Sequence, residues 1–141
     1  MEMLTHARAL LAQGAYTVVL CGATATHTDT RRGVTPLLAL LDGGVDVTGF
    51  AAADRVVGKA AAFLYVRLGV TAVHALVMSE PAHSLLTAHG IVCTCDTLVP
   101  AIRNRAGDGY CPMERAVWDV TDPVAAESAI RTRLAELTVQ G

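Results

Sequence analysis

Apolar residues at Met3, Leu4, Ala7, Leu10 and Leu11 follow a helical spacing, and Gly14 stands where a helix stop belongs, so the pattern predicts a helix over residues 1–13. Residues 16–20 are β formers, Cys21-Gly22-Ala23 reads as a turn, and residues 24–30 alternate threonine with other residues. Together they predict a β-hairpin. Thr35 as N-cap and Pro36 at the first helical position open a second helix through Leu37, Leu38, Leu40 and Leu41, which Asp42-Gly43-Gly44 stops.

The stretch over residues 50–85 organises the rest. It reads as a long apolar helix over 51–68, a buried strand over 70–78, and a helix that opens at Ser79-Glu80-Pro81 and runs to His89-Gly90. A strand over 91–98 follows. Residues 103–110 are polar and glycine-punctuated, hence a loop. Cys111-Pro112-Met113-Glu114 then starts a helix, with Pro112 at its first position and Glu114 placed to cap backward. Asp122-Pro123 opens a final amphipathic helix with Val124, Ile130, Leu134 and Leu137 among its apolar positions, ending near Thr138 and packing on the sheet or on a partner subunit.

This order predicts an α/β protein, a three-layer α/β/α sandwich around a small mixed sheet. The apolar strand over 70–78 calls for helices on both faces. His74, its one strongly polar interior residue, reads as a hydrogen-bonded core residue rather than a ligand. Helix starts at Asp54 and at Glu80 are expected to converge on one rim of the sheet, where α/β proteins place their sites.

Composition narrows the function classes. The 141 residues fit a single domain over 1–141, and with 52% apolar and 4% aromatic residues its core is built from small side chains. A net charge of −2 without a basic stripe gives no reason to expect nucleic acid as a partner. No export signal and no long uncharged apolar run are visible, so the expectation is a cytoplasmic protein with no membrane partner. The four cysteines, Cys21, Cys93, Cys95 and Cys111, are then expected as thiols. Cys93 and Cys95 share one strand face and form at most a weak metal signal.

The candidate chemistry is scattered along this frame. Arg31 and Arg32, just before a helix start, offer either an anion site for a group such as phosphate or simply a solvated basic turn. Asp54 is expected in the first turn of the central helix. Lys59 is the only lysine among 11 basic residues and follows Gly58 in an apolar helix; it reads either as a partly buried ion-pairing group or as a snorkelling side chain. Cys111, at a helix start with Arg103 nearby, is the best nucleophile candidate, against the plainer reading of a thiol at a capping position.

Four runs carry a resemblance: Arg32-Gly33-Val34-Thr35-Pro36-Leu37-Leu38, Ala53-Asp54-Arg55-Val56-Val57-Gly58-Lys59-Ala60-Ala61, Ser79-Glu80-Pro81-Ala82 and Cys111-Pro112-Met113-Glu114. Over roughly residues 10–118 the chain resembles a small bacterial family of unknown function with a cytidine-deaminase-like fold. That resemblance implies an antiparallel hairpin leading into a three-layer sandwich. Zinc deaminases carry a His (or Cys)-Ala-Glu triplet at one helix start and Pro-Cys-x-x-Cys at the next. The corresponding places here look like Ala52-Ala53-Asp54 and Pro81-Ala82-His83-Ser84-Leu85, which lack the ligands, so no metal, no cofactor and no hydrolytic deamination by the usual route are expected.

The expected site gathers Asp54, Lys59, Glu80 and the loop from Arg103 and Asn104 to Cys111, with Arg32 as a further ligand-binding residue. Its ligand is a small molecule of nucleotide or nucleobase type. As an enzyme, Cys111 is the nucleophile, Lys59 or Arg103 stabilises negative charge, and Asp54 or Glu80 handles protons. A third reading is a structural subunit that forms a homo-oligomer through its last helix.

Overall fold

Strands β1 (Val18–Cys21), β2 (Thr26–Asp29), β3 (Ala51–Val57), β4 (Ala72–Ser79) and β5 (Val92–Val99) form one mixed sheet in the computed structural model, which describes residues 2–140. Their spatial order is β2-β1-β3-β4-β5. β1 is antiparallel to β2 and to β3, whereas β3, β4 and β5 run parallel. Six helices complete the described chain: α1 (Glu2–Ala12), α2 (Thr35–Asp42), α3 (Lys59–Leu68), α4 (Glu80–Ala88), α5 (Pro112–Ala116) and α6 (Pro123–Gln140). The hairpin expected over 16–30 is present with shorter strands, and the first helix begins at Glu2, the expected start at Met1 lying outside the described residues.

Side chains alternate between two cores, as the pleat requires. On one face Val19, Cys21 and Ala53 meet Ala7 and Leu11 of α1. On the other, Val18, Leu20, Ala52, Val73 and Ala75 face Phe63, Leu64 and Tyr65 of α3, with the other helices packed around it. Small residues at the sheet centre let α1 and α3 approach closely; Ala7, Ala52, Ala53 and Ala62 are all 0% exposed. α6 lies against α3 through Ala126 and Ile130, while Val124, expected on its apolar face, is 58% exposed.

The expected helix over 51–68 is instead two elements. Residues 51–57 are the central strand β3, and only residues 59–68 are helical, so Asp54 lies on a strand and Lys59 opens a helix. Alanine is the best helix former in isolation, but here Ala51, Ala52 and Ala53 are recruited by strands on either side. The β-branched pair Val56-Val57 continues the strand, and Gly58, with extended backbone (φ −98°, ψ −175°), is the N-cap residue of α3. Gly69 ends α3 in the left-handed conformation (φ +77°), which favours glycine. The expected alignment of Ala52-Ala53-Asp54 with a deaminase helix start therefore fails, because those residues pair between β1 and β4.

The strand–helix unit that follows agrees with its sequence pattern. Ser79 is the N-cap of α4, its Oγ accepting from the Ala82 N–H at 3.2 Å. His74 is buried, its Nδ1 2.7 Å from Thr94 Oγ1 and its Nε2 3.3 Å from Asp96. All four cysteines are free thiols. Among the described residues no helix is long and apolar enough to cross a membrane.

Gly58 is also a point of close approach, since a Cβ there would run into the Glu114 carboxylate. Gly58→Ala should therefore destabilise the protein by about 1–3 kcal/mol, as overpacking does. A continuous helix would give the opposite sign, a gain of about 1 kcal/mol. Urea unfolding of the two proteins at one pH decides between them.

Candidate functional site

In a sheet with parallel strands, the carboxyl ends of the strands and the amino ends of the following helices meet at one rim. Here the carboxyl half of β3, the amino ends of α2 and α3, and Ile102, Cys111, Met113 and Glu114 line a cavity of about 350 Å³. The helix starts that meet there are those of α2 and α3, not the expected pair of α3 and α4. The pairing is topological: β1 lies beside β3, and the turn leaving the hairpin delivers α2 to the mouth above it.

Two carboxyl groups lie inside. Asp54 Oδ2 accepts a hydrogen bond from Tyr65 Oη at 2.6 Å, and Oδ1 accepts from the Val56 N–H at 3.3 Å. Tyr65 is 0% exposed and sits on the buried face of α3, so this bond ties α3 to the strand below. Burial pushes Asp54 up to about 6, outweighing the Tyr65 hydroxyl and the backbone N–H groups, which pull it down. The same burial, with the Asp54 charge beside it, holds Tyr65 well above its ordinary value, so it remains a donor.

Glu114 is 7% exposed and caps a helix other than its own. Its Oε1 accepts from the Lys59 N–H at 2.7 Å and its Oε2 from the Ala60 N–H at 2.9 Å. The carboxylate thus occupies the positive end of α3, across 55 residues of sequence. Burial still raises its pKa against those two bonds and the Lys59 charge.

The expected site residues divide. Asp54, Arg32 and Cys111 line the cavity; Lys59, Glu80, Arg103 and Asn104 are not among its lining residues. Lys59 Nζ donates to the Trp118 carbonyl at 3.0 Å and lies 5.6 Å from the centre of the Phe63 ring. Glu80 is exposed in the first turn of α4. Arg103 stacks over Tyr110 at 4.7 Å, and Asn104 Nδ2 donates to Asp108 at 2.9 Å, so both brace the 103–110 loop. Cys111 is the N-cap residue of the five-residue α5. Tyr65, Arg55 and the reach of Glu114 to α3 carry no signal of their role in the sequence pattern apart from one glycine. Gly58 held the one signal of that reach, a glycine in an apolar run where close packing was foreseeable.

Among the described residues, no three His, Cys, Asp or Glu side chains are grouped so as to hold a metal ion. The buried carboxyl groups do give the fold a pH dependence. The folded chain holds the Asp54 proton up to about pH 6, the unfolded chain only to about its ordinary 3.8. Stability is therefore fullest below the unfolded value and falls as pH rises through the folded one, by an amount on the order of 2–3 kcal/mol for this group. Asp54→Asn should flatten the fall between pH 4 and pH 6 and leave the variant the relatively more stable protein at pH 7. Glu114, raised in the same direction, retains part of the slope. Urea unfolding at four pH values tests this, and parallel profiles for the two proteins would contradict it.

Comparison with known proteins places the chain beside others of this architecture. The profile of a family described as "Domain of unknown function (DUF1893)" matches residues 6–134. A crystal structure of a DUF1893 family protein from Thermotoga maritima is 25% identical with a TM-score of 0.82, the match covering 96% of this chain and 90% of that one. Comparison with curated proteins finds no match.

Proposed function

The chain belongs to the DUF1893 family, a domain of unknown function, and on that premise we propose that it is a small-molecule-binding domain with a cytidine-deaminase-like fold that works without zinc. The ligand sits in the cavity between the starts of α2 and α3. The fold assignment is supported by an antiparallel hairpin that leads into a sheet covered by helices on both faces. Two successive helices, α2 and α3, begin at one cavity, as the two ligand-bearing helices of a deaminase do.

The residues present do not fit a catalytic zinc. At the two helix starts stand Gly33, Val34 and Pro36 on one side and Gly58, Ala60 and Ala61 on the other. None of these offers a side-chain nitrogen or sulfur and Cys111 is the one thiol among the lining residues, whereas such a site takes three protein ligands and one open position. Asp54 and Glu114 are engaged by Tyr65 and by the α3 backbone. No step of a reaction is assigned to a metal here.

The observation that carries the binding reading is the pairing of a cavity with a half-buried carboxyl group of raised pKa on the central strand β3. Asp54 meets a ligand as a hydrogen-bond partner whose protonation changes near neutral pH. A thermal-shift screen with nucleotides, nucleobases and amino-sugar phosphates tests this. At least one compound, at about 100 times its Kd, should stabilise the wild type by about 2.7 kcal/mol. The gain should shrink in Asp54→Asn. The reading fails if nothing stabilises the wild type, or if both proteins respond alike.

One observation favours a second reading, an enzyme that uses Cys111 as its nucleophile: the thiol shares the cavity wall with Asp54 and Glu114. Alkylation of Cys111 should then be faster than that of a free thiol at pH 6–7 and slowed by any compound that binds. An ordinary rate would remove this reading.

A further inference from the structure

We propose that the ligand enters with an organic oxyanion, a phosphate monoester or a carboxylate, held at the outer end of the cavity by Arg32, while its uncharged part reaches inward to Asp54. This rests on the binding reading above and gives the ligand a chemical class and a direction.

Charge in the cavity is sorted by depth. Arg31, Arg32 and Arg55 line it and are exposed, whereas Asp54 is half-buried and Glu114 buried. Of the three arginines, two are already committed. Arg31 is clamped on Asp29, with Nε at 3.0 and 3.2 Å and Nη2 at 2.6 Å from its carboxylate oxygens. Its own N–H donates to the same carboxylate at 2.8 Å, and its carbonyl accepts from Thr17 Oγ1 at 2.6 Å. Arg55 Nη2 donates to the Gly14 carbonyl at 2.9 Å.

Arg32 makes no hydrogen bond or ion pair among the described residues. It follows directly on a turn fixed at both Asp29 and Thr17, so its backbone is held while its guanidinium is left for a partner. A guanidinium is suited to oxyanions because its planar fork gives paired, charge-assisted hydrogen bonds.

The inner end refuses the same group. The amides at the start of α3 would ordinarily attract an anion, but Glu114 already takes the Lys59 and Ala60 N–H groups. An oxyanion placed there would face the Glu114 and Asp54 carboxyl groups together. At the start of α2, just after Arg32 and Gly33, the N-cap residue is Val34, which brings no side-chain acceptor of its own to compete for a ligand. Size limits the rest: about 350 Å³ is near the small end of ligand sites and suits a molecule no larger than a nucleoside monophosphate.

The test uses matched pairs on the full chain: the four ribonucleoside 5′-monophosphates against their nucleosides, and orotate against uracil. Calorimetry gives affinities, and amide chemical shifts report whether cavity residues respond. In at least one pair the anion should bind about tenfold or more tightly than its neutral partner, the phosphate and carboxylate arms telling the two sources apart. Arg32→Gln should abolish that preference. Arg105→Gln, an exposed arginine outside the cavity, should preserve it. Neutral partners that bind as tightly as the anions, or a preference that survives Arg32→Gln, would overturn the oxyanion assignment while leaving the binding reading in place. If no probe of either kind shifts a cavity amide, the assignment and the binding reading fall together.

Discussion

The contact on which this molecule depends is the one between the Glu114 carboxylate and the first two amides of α3. A helix start leaves N–H groups unpaired, and burying them without an acceptor is unfavourable. The residue at the N-cap, Gly58, has no side chain with which to help. An acceptor must come from elsewhere, and α5 supplies it. In exchange, position 58 must stay without a Cβ, and Lys59 is placed where its ammonium group can close on the carbonyl of Trp118. One buried carboxylate thus joins α3, α5 and the turn after α5, and with them one wall of the cavity.

Tyr65 performs the same service on the opposite side. Its hydroxyl reaches from the buried face of α3 to Asp54 on β3, so the helix that forms the centre of the larger core is fixed at its start by one carboxyl group and along its side by another. Neither carboxyl is comfortable there. Burial outweighs the hydrogen bonds in both, and the fold holds them because packing around α3 is extensive. Polar groups kept in such surroundings are expected where a protein meets a ligand, since they lose little further solvation when water leaves.

Much of the architecture was legible from the chain alone. The hairpin, the strand after Gly69, the Ser79 cap of α4 and the Pro112 start of α5 follow local rules, and local rules held there, whereas α2 starts one residue earlier than a Thr35 cap requires, with Val34 as its N-cap residue. Between Ala51 and Leu68 structure and pattern part, because alanine-rich sequence satisfies a helix and a doubly covered central strand equally well. Neighbouring strands decided the matter, and no local signal reports neighbours. The consequence reaches the site: a strand at Asp54 brings the starts of α2 and α3 to the rim rather than those of α3 and α4, and leaves Lys59 and Glu80 outside the cavity. Arg32, Asp54 and Cys111 were reachable because charge, helix starts and thiols are visible one residue at a time. The Glu114 and Tyr65 contacts were not, since each joins segments that come together only in three dimensions.

The separation of Glu114 from the amides it satisfies also has a bearing on time. Synthesis proceeds from the amino end, so the chain as far as β5 contains every strand of the sheet before Glu114 exists. Until the segment at 111–114 arrives, α3 has the sheet beneath it but neither α6 nor the acceptor for its first two amides. Closing so long a loop is slow compared with forming a hairpin or a helix. The cavity wall therefore waits on a segment made after every strand of the sheet, so a growing chain holds the whole sheet before it holds the whole container.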